Sequence, residues 1–252
     1  MRRLETAIII PARLGSTRYP EKLLKPIGGK PLILWTAERL RAVAPDYPLF
    51  LAVDSSRLAE PLEAAGFAVV ETDPELPSGT DRLAEANAEI GAEAVINVQG
   101  DEPLVNADQV NALAGLIAEE GVDIATLATP FQSSAAFEDP ARVKVVCGAN
   151  GDALYFSRSP IPHERDAGGS WREGSRYLHL GMYAYRAAFL RAFRDLPPGR
   201  LEQLERLEQL RALEHGFRIR VGLTEHGTFG IDTEADARAF ARIVEAGEAG
   251  GA

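Results

Sequence analysis

The sequence predicts an α/β protein built on a doubly wound, mostly parallel sheet. Short runs rich in β-branched and apolar residues recur up to about residue 120, separated by stretches of helical periodicity. The first of these runs lacks in-out alternation, as a strand buried on both faces requires. The 252 residues are 46% hydrophobic and 25% charged, globular proportions that exclude a disordered or fibrous chain and allow one large α/β domain or a domain with a sizeable insert.

The elements follow in order. Residues 6–11, Thr-Ala-Ile-Ile-Ile-Pro, read as a strand ended by proline. A polar loop without helical periodicity runs from Ala12 to Gly29, and Pro31 suits the first turn of a helix over 32–40. Residues 49–53 form a second strand, 58–65 a helix and 67–70 a third strand. A helix over 82–90, a fourth strand over 94–98 and a helix over 107–119 with Asn106 as N-cap complete the alternation.

After about residue 120 the pattern changes. Strands over 123–129, 143–147, 153–156 and 178–185 have only short connections, which predicts a mixed-sheet extension rather than further βαβ units. Residues 168–174 form a glycine-rich loop in which Trp171 is a mobile contact, whereas Trp35 belongs to the core. Leu201, Leu204, Leu207, Leu210 and Leu213 mark one helix over 201–214, buried on more than a narrow stripe. A strand over 217–223 and a closing helix over 233–246 end the pattern.

Lys and Arg number 27 against 37 Asp and Glu, a net charge of −10 that argues against a general nucleic-acid binder. The charge is uneven: residues 1–30 carry seven basic side chains against Glu5 and Glu21, a local +5 that leaves −15 for the rest. No run reaches the ~18 apolar residues of a membrane span, and the apolar stretch 7–10 is too short for a signal peptide. The single cysteine, Cys147, lies in an apolar strand and reads as a buried, inert thiol in a reducing compartment. The expected location is the cytoplasm.

Three segments carry chemistry. The loop at residues 11–22, Pro-Ala-Arg-Leu-Gly-Ser-Thr-Arg-Tyr-Pro-Glu-Lys, follows the first strand, and ligands of parallel sheets bind beyond the carboxyl ends of strands. Its arginines, lysine, hydroxyls and glycine backbone suit a polyphosphate. It is neither a Walker loop nor a dinucleotide fingerprint, and a solvated basic loop is the alternative. Gln99-Gly100-Asp101-Glu102 leaves an apolar strand at the same sheet edge and delivers two carboxylates, suited to Mg²⁺ shared with substrate phosphates or, otherwise, to a plain strand-capping turn. Asp232, between a glycine and the closing helix, reads as an N-cap or as a second metal ligand. The four histidines lack zinc-ligand spacing.

Taken in order, several motifs resemble one family. They are Pro11-Ala-Arg-x-Gly-Ser-Thr-Arg18, Ser78-Gly-Thr-Asp-Arg82, Asn97-Val-Gln-Gly-Asp-Glu-Pro103, Tyr155-Phe-Ser-Arg158, Ile161-Pro162, His179-Leu-Gly-Met-Tyr183, Leu207-Glu-Gln-Leu-Arg211 and Gly230-Ile-Asp-Thr233. From about residue 6 to 245 the chain resembles the 3-deoxy-manno-octulosonate (KDO) cytidylyltransferases, the CMP-KDO synthetases of bacterial lipopolysaccharide assembly.

The resemblance implies a Rossmann-like fold of the nucleotide-diphospho-sugar transferase type in a single domain. Residues 1–120 would be its nucleotide-binding half, 121–230 its sugar-binding and dimerisation half, and 231–252 its closing helix. CTP and KDO are the implied substrates, CMP-KDO and pyrophosphate the products, Mg²⁺ the cofactor and a homodimer the assembly. Pro11, Ala12, Arg13, Ser16, Lys22, Ser78, Gly79, Arg82 and Gln99 would bind nucleotide, and Asp101 and Asp232 would hold the metal. Arg13, Lys22, Asp101 and Asp232 would be catalytic, and Arg158, His179, Tyr183, Glu208 and Gln209 would face the sugar. At about 40° from Leu204 on the expected helix, Glu208 sits at the edge of its buried face. Glu21 is a departure, since many relatives have glycine before the loop lysine, and its carboxylate either weakens triphosphate binding or turns to solvent. The alternatives are activation of another acidic sugar, such as a sialic acid or 8-amino-KDO, or a nucleotide-binding regulatory module without catalysis.

Overall fold

The protein is described by a computed structural model that covers residues 4–16, 19–165 and 176–247. Arg18 and the glycine-rich loop with Trp171 lie outside the described residues. The chain divides into two compact units, residues 1–111 with 228–252, and residues 112–227.

The first unit contains the expected βα alternation. Its strands are β1 (Leu4–Ala12), β4 (Leu49–Val53), β5 (Ala68–Glu71) and β6 (Ala92–Asn97), all parallel, in the order β6-β1-β4-β5. β1 is continuously buried from Ala7 to Ala12, which accounts for its lack of alternation. Between strands run α1 (Leu32–Val43), α2 (Ser56–Ala64) and α3 (Gly79–Ile90), and α9 (Glu234–Glu245) returns to this unit. Apolar faces of these helices, such as Leu32, Ile33 and Leu40 of α1, are fully buried with Ile8, Ile9 and Ile10 of β1 in the core. Each such side chain contributes roughly 1.5–3 kcal/mol.

Helix starts follow local chemistry. The Ser78 hydroxyl caps α3 by accepting from the Asp81 amide at 3.2 Å, and Thr233 caps α9 in a capping box with Asp236. Thr233, not Asp232, takes the N-cap, so the capping reading of Asp232 is corrected and its carboxylate is left for other partners. The expected loop from Ala12 to Gly29 also holds structure that periodicity does not reveal. A 3-10 turn spans Lys22–Leu24, and a two-residue hairpin pairs β2 (Pro26–Ile27) with β3 (Lys30–Pro31).

α4 (Ala107–Ala118) leads the chain into the second unit, and the Asn106 side chain accepts from the Gln109 amide at 3.0 Å as expected of its cap. There β7 (Ile124–Pro130) pairs parallel with β11 (Ile219–Leu223) and antiparallel with β10 (Tyr177–Arg186). β8 (Lys144–Cys147) pairs antiparallel with both β10 and β9 (Ala153–Ser157), giving the mixed sheet. Two short helices were not legible: α5 (Ser134–Glu138) and α6 (Ala187–Phe193).

The single helix expected over 201–214 is instead two, α7 (Arg200–Glu205) and α8 (Gln209–Glu214), broken at Arg206, whose φ is 55°. The break lets the Glu214 carboxylate accept from the Leu201 amide at 3.0 Å. One continuous helix would hold those residues about 20 Å apart. Glu202 adds a fork to Arg211, with contacts of 2.6 and 2.7 Å. Leu204 therefore lies outside the core at 70% exposure, and Glu208 starts α8 instead of sharing a face with it.

Candidate active site

In the first unit the chain proceeds outward from β1 to β4 and β5, then crosses back to β6 on the other side of β1. The loops after β1 and β6 therefore part at a topological switch point, the crevice where doubly wound sheets bind ligands. Two adjoining cavities open there. One, of about 210 Å³, is lined by Pro11, Arg13, Gly15, Ser16, Lys22, Leu23, Gln99, Gly100, Asp101 and Asp232. The other, of about 330 Å³, is lined by Pro11, Ala12, Arg13, Leu76, Pro77, Ser78, Gly79, Arg82 and Gln99. All the residues assigned to nucleotide and metal thus line one trough, with Pro11, Arg13 and Gln99 common to both ends.

At one end Lys22 joins the two aspartates. Its Nζ donates to Asp101 Oδ2 and, at 3.0 Å, to Asp232 Oδ1. Burial pulls this ammonium down, but the two carboxylates outweigh it and hold its pKa above the ordinary lysine value. The Ile231 amide donates to the Asp101 carbonyl at 3.0 Å, fixing the Asp232 segment beside the β6 loop. Gly100 is needed for a close approach, since a Cβ there would lie 2.7 Å from Ile33 Cδ1. Two carboxylates facing a cavity lined by basic and hydroxyl groups fit Mg²⁺, which is usually held by one or two carboxylates plus substrate phosphates. Among the described residues no group of three or more His, Cys, Asp or Glu could hold a metal by itself.

Glu102, next in sequence, is buried, and its Oε2 has no hydrogen-bond partner. Burial, reinforced by Asp101 and Asp232 and opposed by Lys22, pushes its carboxyl up to about 8. The folded protein keeps a proton here that the unfolded chain releases near 4.5, so this group's contribution to stability is lost as pH rises between 4.5 and 8. Glu102→Gln removes the titration. Urea unfolding is expected to favour the variant increasingly from pH 5 to pH 8, by at most about 1.4 kcal/mol per pH unit. Parallel stability profiles for the two proteins would contradict it.

At the other end of the trough the motif residue Arg82 is braced by residues that motif reading missed, Thr72, Asp73 and Asp54. Arg82 is 3% exposed and donates to the Thr72 hydroxyl and, at 3.3 Å, to the Asp73 carbonyl. Its burial lowers the guanidinium pKa, an effect that Asp54 and Glu85 oppose. Asp54, just after β4, accepts from the Leu14 amide at 3.0 Å and ties the loop after β1 to the neighbouring strand. An acidic residue directly after an apolar strand at this edge was the available signal.

Glu21 has a φ of 53°, a left-handed conformation that favours glycine. Its carboxylate forks onto Arg57 of α2, with the second contact at 3.1 Å, instead of approaching the Lys22 ammonium. The Glu21 charge is thus engaged by Arg57, while Lys22 faces the aspartates.

The second unit holds the residues assigned to the sugar. Four residues of a regular strand span about 13 Å, yet the rings of His179 and Tyr183 are 5.3 Å apart. A register irregularity between Leu180 and Tyr183 takes up the intervening chain and brings them together. His179 Nε2 lies 3.0 Å from the Thr126 hydroxyl, which also reaches the carbonyls of Leu180 at 3.2 Å and Met182 at 2.8 Å. Burial pushes the imidazole down to about 3, keeping it neutral at working pH. Burial, with Tyr185 and Glu208 adding to it, raises the Tyr183 phenol well above its usual range. Glu208 and Gln209 stand at the start of α8.

Arg158 is more engaged than motif reading suggests. Its Nε donates to the Glu205 carbonyl at 2.8 Å, and its Nη groups reach the carbonyls of Pro140 at 3.2 Å and Arg206 at 3.4 Å. Three of its five donors hold the chain around the α7–α8 break, and two remain for a ligand. Glu205 accepts from the Ser157 hydroxyl at 2.6 Å and the Arg158 amide at 2.9 Å. The fully buried Lys144 donates to the carbonyls of Asp139 and Arg158, each at 2.8 Å.

The remaining candidates are structural. Trp35 donates to the Ile27 carbonyl at 2.8 Å and meets Phe240 edge-on. Cys147 is half-buried and not buried as expected; its partial burial, with Asp152 adding to it, raises the thiol pKa. Among the described residues no helix is long and apolar enough to cross a membrane.

The chain is similar to known cytidylyltransferases in sequence and fold. The cytidylyltransferase family profile matches residues 7–219. The 3-deoxy-manno-octulosonate cytidylyltransferase of Anaeromyxobacter sp. (strain Fw109-5) is 46% identical, over 98% of this chain and 99% of its own. That of Xanthomonas campestris pv. campestris (strain 8004) is 46% identical, over 95% and 100%. A solved structure of CMP:2-keto-3-deoxy-manno-octonic acid synthetase complexed with CTP superposes with a TM-score of 0.89 at 37% identity, covering 96% of this chain and 99% of that one. A cytidylyltransferase from Leptospira borgpetersenii, at 14% identity and a TM-score of 0.64, shares the fold. The chain belongs to the 3-deoxy-manno-octulosonate cytidylyltransferase family.

Proposed function

We propose that the protein activates KDO with CTP, giving CMP-KDO and pyrophosphate. The observation that carries this reading is the continuous trough of the first unit, which runs from the Arg82 end to the Lys22–Asp101–Asp232 cluster. Its two ends match the two halves of a nucleoside triphosphate in chemistry, and relatives sharing 46% of the sequence bear the name of this activity.

In this reading the anomeric hydroxyl of the sugar attacks the α-phosphorus in line and gives up its proton to solvent. The bond to the β-phosphate oxygen breaks, and pyrophosphate leaves. Ser78, Gly79, Arg82 and Gln99, with Pro11 and Ala12, take the cytidine. Arg13, Ser16 and Lys22 hold the triphosphate and offset the charge that gathers on the leaving group. Asp101 and Asp232 hold Mg²⁺, which when bound neutralises phosphate oxygens. Arg158, His179, Tyr183, Glu208 and Gln209 serve the acidic sugar, with neutral His179 as a hydrogen-bonding group rather than a charge. A cytoplasmic homodimer belongs to the same proposal.

Pyrophosphate release, measured with CTP, Mg²⁺ and a panel of KDO, 8-amino-KDO and sialic acid, tests the assignment. KDO is expected to give the highest kcat/KM. A preference for another sugar would reassign the substrate, and release with none would leave a binding module.

A further inference from the structure

Lys22 occupies a place that two carboxylates would otherwise offer to a metal. Its ammonium touches Asp101 and Asp232 together, and the side chain is only 17% exposed. Its backbone is fixed within the 3-10 turn by the Lys22 amide to the Tyr19 carbonyl and the Lys25 amide to the Lys22 carbonyl, each 3.1 Å. The same side chain lines the cavity with Arg13, Gly15 and Ser16, so its stem reaches both the carboxylates and the phosphate-binding surface. An ammonium and a dication repel each other at contact distance, so a cation on both aspartates disfavours the present position of Lys22.

We infer that Lys22 is a displaceable internal counter-ion: a divalent cation gains the Asp101–Asp232 pair only as a triphosphate draws Lys22 away. The metal then enters with the nucleotide and not ahead of it. This rests on the proposed role of the two aspartates as metal ligands. Hydrogen bonds to charged groups are individually strong, so removing the lysine amine should tighten metal binding without nucleotide by about tenfold or more.

Mn²⁺ binding to the full chain without CTP or sugar, followed by electron paramagnetic resonance, tests it without turnover. Lys22→Met is expected to bind Mn²⁺ about tenfold more tightly than the unmodified protein, and Lys22→Arg no more tightly. Arg13→Met, which removes a charge from the same cavity but not from the carboxylates, should give a much smaller change. Equal tightening by Arg13→Met and Lys22→Met would reduce the effect to general charge and overturn the inference, as would unchanged affinity in Lys22→Met. Adding Asp101→Asn to Lys22→Met should abolish the gain. A gain that survives it would place the metal elsewhere and overturn the ligand assignment as well.

Discussion

Asp101→Asn is expected to leave the protein folded and to lower kcat by about two to three orders of magnitude, the scale seen when a preorganised electrostatic group is removed from an active site. Asparagine keeps the shape of the side chain and leaves the Asp101 backbone carbonyl to accept from Ile231. It deletes one of the two charges on Lys22 and one of the two carboxylates available to a metal. Loss of metal-assisted neutralisation falls on the transition state, where charge moves onto pyrophosphate, so kcat should fall more than CTP affinity. Asp101→Ala should abolish turnover in the same way. Near-normal CMP-sugar formation by either variant would remove Asp101 from the metal role.

Glu205→Ala is expected to cost about 2–4 kcal/mol of stability, read by urea unfolding. Its carboxylate is the acceptor for the Ser157 hydroxyl and the Arg158 amide, and it ends the helix before the left-handed turn at Arg206. With it removed, the Arg158 amide and the Ser157 hydroxyl lose their acceptor. The Arg158 guanidinium keeps the carbonyls of Glu205 and Arg206, but the end of β9 is no longer tied to α7, and the α7–α8 break that carries Glu208 and Gln209 loosens. The KM for the sugar should rise while that for CTP stays near its original value. Glu205→Gln, which keeps an acceptor, should recover much of both effects. A stability change below about 0.5 kcal/mol would show that Arg158 is held by other means.

The nucleotide half was readable because its elements are encoded locally. Continuous Ile-Ile-Ile burial in β1, the serine before α3 and the asparagine before α4 act within one turn or one strand. The α7–α8 break was not readable, because leucines three apart satisfy a helical pattern. The decision comes from Glu214 reaching the Leu201 amide, a contact between residues that a straight helix would separate. Motif order assigned the trough residues, yet the joining of Lys22 to both Asp101 and Asp232 depends on folding three distant segments together. Burial likewise separates Glu102 from its neighbour Asp101, although both are acidic residues of one motif. Asp54, Glu205 and Lys144 carry no motif, and their roles rest on bonds to the backbone of loops far away in sequence.

The central claim, transfer of the α-phosphoryl group of CTP to an acidic sugar, is tested most directly by following label from CTP. With KDO and Mg²⁺ present, label at the α-phosphorus is expected in the sugar nucleotide and label at the γ-phosphorus in pyrophosphate, in equal amounts. Release of the γ-label as inorganic phosphate, with no α-label joined to the sugar, would contradict the account.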